Sequence, residues 1–189
     1  MTISPQPPRL KPTGTPYREL VENHLTFVKV GFGYYLEVLI KAGYVTDGAS
    51  VPRKIFPDGQ YSEEIKETIQ KNYPKISTRW DLENFINYLI GTPWDMPRLL
   101  AAIVHDVLYG RKWGIRWLCD RIYKWILIQN GYESKRAEIE YLCIRLVGWN
   151  NWNSITKEEE DYTKKLSVVK FIRKSKIAKE IENFSPQKK

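Results

Sequence analysis

Alternating apolar and polar positions near the N-terminus predict a small antiparallel sheet. Residues 25–30 and 34–40 are rich in β-branched and aromatic side chains, and residues 31–33 between them have the length of a hairpin loop. A turn at 41–43 precedes a third short strand beginning at 44–45. We therefore predict an antiparallel β-meander at the start of the domain.

Further along the chain, the spacing of apolar residues changes to that of helices. Helices are expected at residues 62–71, 81–90, 99–109, 115–129 and 134–147. Gly110 and Gly114 bracket the connection between the third and fourth of these segments, which indicates an antiparallel helical hairpin. The predicted fold class is α+β, with the β-meander packed on a helical hairpin core.

The two ends of the chain differ from the domain between them. Residues 1–16 contain five prolines, which remove backbone donors, so this segment is expected to be an extended N-terminal arm. From residue 156 onward, apolar residues recur every three or four positions and predict one long surface helix. We therefore divide the chain into an arm (1–16), an α+β domain (17–155) and a basic C-terminal helical tail (156–189).

The net charge of +8 comes mostly from the tail, because residues 164–179 contain seven cations and no acid. Such a segment can bind anionic lipid or nucleic-acid phosphates. A solvated helix face is the simpler interpretation. Aromatic side chains do not alternate with these cations, which argues against a stacking platform for nucleic-acid bases.

Several protein classes do not fit the sequence. No apolar run approaches the ~18–20 residues that span a bilayer, and we expect no transmembrane segment. The start of the chain has no apolar core typical of a signal peptide. Cys119 and Cys143 are too few for a disulfide framework and are not spaced as a zinc-binding pair, so a reducing compartment fits best.

His105 is the first candidate for chemistry. It lies inside the apolar run 99–108, is followed by Asp106, and has Tyr109 one helical turn further on. A histidine beside an acid on an apolar helix is suited to act as a general base or a metal ligand. The alternative is a buried histidine that only bonds a backbone carbonyl.

Asp120 belongs to a helix that is apolar on most of its circumference, so a buried carboxylate there needs a partner. In an antiparallel hairpin, Asp106 and Asp120 are equidistant from the centre of the turn. His105 and both carboxylates can therefore lie at the same height. The alternative is that Asp120 is neutralised by Arg116 or Arg121.

The segment 46–53, with the sequence TDGASVPR, is predicted to be an ordered functional loop. Thr46, Asp47 and Ser50 suit a tight turn stabilised by side-chain hydrogen bonds. Arg53 can bind a carboxylate through two parallel hydrogen bonds. The alternative is a structural turn closed by a contact of Asp47 with Arg53 or Ser50.

Two motifs in order, T-D-x-A-S-x-P-R at 46–53 and H-D-x-L-Y at 105–109, followed by an Asp in the next helix, resemble a family of uncharacterised phage and prophage proteins. This family is catalogued as domain of unknown function 1353, and the resemblance covers about residues 25–150. Residues 57–94 then look like an insertion, and 151–189 like an added tail.

The family resemblance implies a phage protein located in the virion or the host cytoplasm, with other phage structural proteins as partners. We expect a virion-associated or accessory protein that docks through its arm and basic tail. In that case the loop and the His105, Asp106 and Asp120 side chains form a polar network that fixes the loop on the helices.

A second, local resemblance supports an alternative function. H-D-x-x-Y on one helix, with an Asp on the antiparallel helix, is similar to the catalytic core of phospholipase A2. The resemblance implies that His105 activates water, Asp106 binds Ca²⁺, Asp120 orients His105 and Tyr109 supports the network. The glycine-rich calcium loop with its neighbouring cysteines is missing from this sequence. The alternative is therefore a small His/Asp hydrolase acting on the host envelope, and the sequence leaves open whether the protein is an enzyme.

Overall fold

The computed structural model of the protein describes residues 8–13, 18–46 and 96–184. Its strands are β1 (Leu10–Pro12), β2 (Arg18–Leu20), β3 (His24–Gly31), β4 (Tyr34–Ile40), β5 (Val45–Thr46) and β6 (Ser167–Arg173). Its helices are α1 (Met96–Gly110), α2 (Arg116–Gln129), α3 (Ser134–Ser154), α4 (Lys157–Leu166) and α5 (Ile177–Asn183), with a 3-10 turn at Lys174–Lys176 before α5. The predicted α+β class and the C-terminal helix are confirmed.

The larger sheet has the strand order β3-β4-β6 and is antiparallel throughout. The predicted hairpin of β3 and β4 is confirmed, with a register that runs from His24 opposite Ile40 to Gly31 opposite Tyr34. Its turn needs two glycines, because Gly31 and Gly33 both have positive φ angles, of 140° and 79°. The third strand of this sheet comes from the C-terminal end of the chain.

The prediction of one long helix from residue 156 onward is wrong for residues 167–173. These residues form β6, which pairs with β4 from Ser167 opposite Ile40 to Arg173 opposite Tyr34. Val168, Val169 and Ile172 are β-branched and therefore favour a strand, although their spacing also fits a helix. These residues form a strand because all seven positions of β6 pair with residues of β4.

A second, smaller sheet has the order β1-β2-β5. The predicted short strand at 44–45 is observed at Val45–Thr46, but it pairs with β2 and does not extend the β3–β4 hairpin. The proline-rich arm contributes β1 as an edge strand, with Pro12 at its last position opposite Arg18. This placement agrees with the expectation that the arm is extended and cannot form an interior strand.

The larger sheet separates two apolar cores. One face, with Val28, Leu36, Val38 and Ile40, packs on the helices and forms the main core with the interior of α1 and α2. The other face is covered by the C-terminal helix, in a smaller core of Leu25, Phe27, Tyr35, Ile172 and Ile177, with Ile181 and Phe184 at its border. The segment 167–184 is therefore part of the folded domain.

Some sequence predictions fall outside the described residues. These are the short helices at 62–71 and 81–90, the insertion at 57–94, and the loop residues Asp47, Ser50 and Arg53. Within the part of the chain that the structure describes, no helix is both long enough and apolar enough to cross a lipid bilayer.

Candidate functional site

The α1–α2 hairpin brings His105 and Asp120 together. The chain reverses after α1 through Lys112 and Gly114, which both have positive φ angles, of 47° and 63°. The two helices then run antiparallel, and Nε2 of His105 lies 3.0 Å from Oδ1 of Asp120. His105 and Asp120, which were predicted to lie at the same height across the hairpin, are therefore in contact, whereas Asp106 is bonded to Thr46.

Asp120 is fully buried and is surrounded by hydrogen-bond donors. Besides His105, the Tyr109 hydroxyl donates to Oδ1 at 2.5 Å and Nη1 of Arg145 donates to Oδ2 at 2.9 Å. Nη1 of Arg116 lies 3.5 Å from the same Oδ2. Burial alone would raise the pKa of Asp120, but the hydrogen bonds from His105, Tyr109 and Arg145 outweigh it and hold the pKa below its ordinary value.

The imidazole of His105 is held by rings as well as by Asp120. Its centroid lies 4.0 Å from that of Tyr109 and 5.6 Å from that of Tyr123. The side chain keeps 12% of its surface exposed. Among the residues that the structure describes, its hydrogen bond is made through Nε2, so Nδ1 is the nitrogen left for a further interaction. The alternative of a histidine bonded only to a backbone carbonyl is therefore wrong.

Tyr109 stays a hydrogen-bond donor at any ordinary pH. Burial and the adjacent Asp120 carboxylate raise the pKa of its hydroxyl well above the usual range. The ring also packs edge-on against Trp152, with centroids 5.1 Å apart. Gly148 allows this placement, because a Cβ there would lie 2.6 Å from the Tyr109 hydroxyl oxygen. The predicted supporting role of Tyr109 in the network agrees with this geometry.

Two arginines complete the surroundings of Asp120, and the sequence identified one of them. Arg116 contacts Asp120 as the alternative interpretation proposed, and also donates to the backbone carbonyl of Arg145 at 2.9 Å. Arg121 instead lies over the Trp117 ring, 4.7 Å from its centroid. Arg145 was missed by sequence reasoning, although it is the one charged residue in the apolar stretch 141–147.

Asp106 is hydrogen-bonded to Thr46, which is not part of the network around Asp120. The Thr46 hydroxyl donates to Oδ2 of Asp106 at 2.6 Å, which ties the first residue of the predicted loop to α1. Consecutive helix residues are about 100° apart around the axis, so His105 and Asp106 cannot both face α2. The structure therefore joins His105 to Asp120 and Asp106 to Thr46.

A cavity of about 360 Å³ lies beside the network. Asp106 and Tyr109 form part of its wall, whereas His105 is not one of its lining residues. The remaining wall comes from β5 and the residue before it, the end of α1, the end of α3 with the residue after it, and α4: Tyr44, Val45, Thr46, Gly110, Asn151, Ser154, Ile155, Glu159, Tyr162 and Thr163. Tyr109 is thus shared by the cavity and the His105–Asp120 pair.

The described residues do not fit the calcium site that the phospholipase resemblance implies. Ca²⁺ takes six to eight oxygen ligands. Asp106 is a single carboxylate, and one of its oxygens already accepts the Thr46 hydroxyl. Within the described ranges, no group of three or more His, Cys, Asp or Glu side chains could hold a metal ion.

A second buried network was missed by sequence reasoning. Nε of Arg98 donates to Glu140 at 2.8 Å, and the Tyr123 and Tyr132 hydroxyls donate to the same carboxylate at 2.8 and 2.6 Å. Burial raises the pKa of Glu140, against the opposing effect of Arg98 and the two tyrosines. This network joins α1, α2 and α3.

Comparison with known proteins gives no match: no family model, no curated protein and no solved structure is similar to the chain. The resemblances to the phage family and to phospholipase A2 stay predictions. We therefore infer a function from the geometry of the described residues alone.

Proposed function

We propose that this protein is a small hydrolase that uses His105 as a general base and cleaves ester bonds of phospholipids in a bacterial envelope. The observation that supports this proposal is the His105–Asp120 contact of 3.0 Å at a fully buried carboxylate. An ionised Asp120 fixes the ring, selects the tautomer with the proton on Nε2 and leaves the Nδ1 lone pair for a proton from water.

Ester hydrolysis can proceed in two steps in which His105 first takes up a proton and then returns it. Nδ1 of His105 takes a proton from a water molecule, and the resulting hydroxide attacks the ester carbonyl carbon to give a tetrahedral intermediate. The carbon–oxygen bond to the leaving alcohol then breaks, and the imidazolium returns its proton to that oxygen. Asp120 stabilises the positive charge on His105 between the two steps, and Tyr109 keeps Asp120 in place through its 2.5 Å hydrogen bond.

The cavity that shares Tyr109 with the His105–Asp120 pair, but is not lined by His105, is large enough for a substrate of moderate size. Its volume of about 360 Å³ lies within the range of small-molecule sites, and its wall mixes apolar side chains with a few polar groups. Tyr44 and Ile155 offer apolar surface, while Asp106 and Thr46 offer polar contacts. This mixture suits an ester that carries both a hydrocarbon part and a polar part.

The test measures fatty acid released from phosphatidylglycerol and phosphatidylethanolamine vesicles by the purified full chain. Parallel assays contain calcium chloride or a chelator, so that a calcium requirement does not hide activity. We expect release by the native protein and loss of at least about 100-fold in the His105→Gln variant, because glutamine cannot act as a base. Lys135→Ala, an exposed change on α3, is the matched control and should keep full activity.

No release by the folded native protein under either condition would contradict the proposal. Equal release by the native and His105→Gln proteins would also contradict it. Thermal melting of both variants separates loss of chemistry from loss of fold.

The second candidate function is that of a phage virion-associated or accessory protein, located in the virion or the host cytoplasm. It is favoured by the two arginines on Asp120 and by the bond between Thr46 and Asp106, which together are what a structural network needs. The exposed cations of the tail would then meet other phage structural proteins. Immunoblotting of purified particles tests this, since absence of the chain from particles contradicts it.

A further inference from the structure

The tip of the β3–β4 hairpin carries a fully exposed aromatic side chain. Phe32 lies between Gly31 and Gly33, and its exposure is 104% of the reference value. Its φ angle of 34° is in the region that Gly, Asn and Asp adopt more easily than Phe. The exposed ring adds nothing to either apolar core, so its apolar surface is available for contact with another molecule.

Three cationic residues lie next to this tip, because the backbone that carries them is bonded to the hairpin. The backbone N–H of Lys174 donates to the carbonyl of Gly33 at 2.8 Å, and Arg173 lies opposite Tyr34 in the sheet. The end of β6 and the following turn are therefore bonded to the hairpin that carries Phe32. Lys176 follows in the same 3-10 turn and is exposed.

The positive charge of this region has little compensation. The acidic residues nearest to it, Glu37 and Glu180, both bind Lys170, at 3.1 and 3.5 Å. Among the described residues, neither Arg173 nor Lys174 takes part in an ion pair. Within the described part of the chain, Arg173, Lys174 and Lys176 therefore have no acid within ion-pair distance.

Two further aromatic side chains extend the surface. Tyr34 is 44% exposed and Phe171 is 61% exposed, and both lie on the face of the sheet that also carries Arg173. An open depression of about 470 Å³ runs beside them, and its charged lining residues are Lys170, Arg173 and Lys176 with one acid, Glu180. The hairpin patch is defined here as Phe32, Tyr34, Phe171, Arg173, Lys174 and Lys176.

We propose that the hairpin patch is the surface through which this protein sits on an anionic phospholipid bilayer. A protruding Phe can enter the boundary between headgroups and acyl chains, while cations at its base meet lipid phosphates. The same cations and rings would also suit nucleic acid, but the Phe32 ring projects from the tip of a hairpin, as insertion into a bilayer requires, and does not lie in a groove that follows a backbone. This surface would bring the proposed lipid hydrolase to its substrate. Its biological meaning therefore rests on that proposed function.

The test measures co-sedimentation of the full-length His105→Gln protein with vesicles, so that binding is read without hydrolysis. We expect strong binding to phosphatidylglycerol-rich vesicles, weak binding to phosphatidylcholine vesicles, and loss of binding at high salt. Adding Phe32→Ser should weaken binding about tenfold. Adding Arg173→Gln with Lys174→Gln should weaken it about 30-fold.

Matched controls remove the same chemistry elsewhere. Ile115→Ser removes an apolar side chain that is 62% exposed, and Lys135→Gln with Lys165→Gln removes two exposed cations, one of them in the tail. Both controls should leave binding within about twofold of the parent, since the tail charge by itself is not the site.

The proposal is overturned if the parent binds both vesicle types equally or neither, or if Phe32→Ser leaves binding unchanged. It is also overturned if the control pair of lysines matters as much as Arg173 and Lys174, or if duplex DNA is bound in place of vesicles. Binding without ester cleavage by the native protein would contradict the proposed hydrolase alone. Cleavage of detergent-dispersed lipid without vesicle binding would contradict the hairpin patch alone.

Discussion

Nε2 of His105 and Oδ1 of Asp120 lie 3.0 Å apart across two antiparallel helices, and the carboxylate has no exposed surface. Because Asp120 also accepts bonds from Tyr109 and Arg145, its position is determined by three separate side chains. The ring of His105 is therefore held in one orientation before any substrate arrives. Such preorganisation is what general-base chemistry requires.

We predict that Asp120→Asn destabilises the protein strongly. The change leaves Arg116 and Arg145 beside a neutral amide in a buried site, and removing one partner of a buried ion pair typically costs about 3–5 kcal/mol. Urea denaturation at neutral pH gives the free energy of unfolding. Asp161→Asn, which removes an exposed ion pair with Lys157, is the control and should change stability far less, because solvent screens such a pair. Similar effects of the two changes would contradict the buried network.

We predict that Gly148→Ala lowers the free energy of unfolding by about 1–3 kcal/mol, because the new Cβ would lie 2.6 Å from the Tyr109 hydroxyl oxygen. Alanine is otherwise the better helix former, so without this clash the variant would be more stable than the native protein. In a Tyr109→Phe background, the penalty should fall by about 1 kcal/mol. Chemical denaturation of the four proteins of this cycle measures the coupling, and additive effects would argue against the contact.

We predict that acidification destabilises the protein through His24. Burial lowers the pKa of this histidine from 6.5 to about 4 in the folded state. As the pH falls from about 6.5 to about 4, the unfolded state binds a proton that the folded state does not. Stability should fall through this window by about 3 kcal/mol in total. Denaturation curves of native and His24→Leu proteins at several pH values check this, and equal pH dependence of the two would contradict it.

We predict that Lys170→Met destabilises the protein more at pH 7 than at pH 4. Lys170 binds Glu37 at 3.1 Å, and burial already raises the pKa of Glu37 above its ordinary value. Without Lys170 that pKa rises further, so the penalty of keeping an ionised Glu37 grows as the pH increases through it. Combining Lys170→Met with Glu37→Gln should remove most of the pH dependence. Thermal melts across the pH range provide the measurement.

The local part of the site could be predicted from the sequence. His105, Tyr109 and Asp120 belong to two helices joined by a short turn, and helical periodicity with antiparallel geometry is enough to bring them together. The position of Asp106 could not be predicted this way, because its partner Thr46 lies sixty positions away along the chain. The contacts of Arg145 and of the Glu140 network could not be predicted either, because they require α3 to pack against α1 and α2.

The fold class could be predicted from periodicity, but the tail could not. Val168, Phe171 and Ile172 fit a helical stripe, but in β6 Phe171 lies on the opposite face of the sheet from Val168 and Ile172. The deciding contribution is the backbone pairing of β6 with β4, which is distant in sequence. Local pattern therefore assigned these residues to the wrong element and to a single face, whereas Val168 and Phe171 are exposed in the structure.

The pairing of Tyr34 with Arg173 has a consequence for synthesis of the chain. During translation, β4 is made long before β6, so the nascent hairpin has an open edge and an uncovered apolar face until the last part of the chain is made. Such pairing between distant segments slows folding and favours assistance by chaperones. A premature stop codon before residue 167 would therefore yield an aggregation-prone chain that proteases remove, rather than a working domain without a tail.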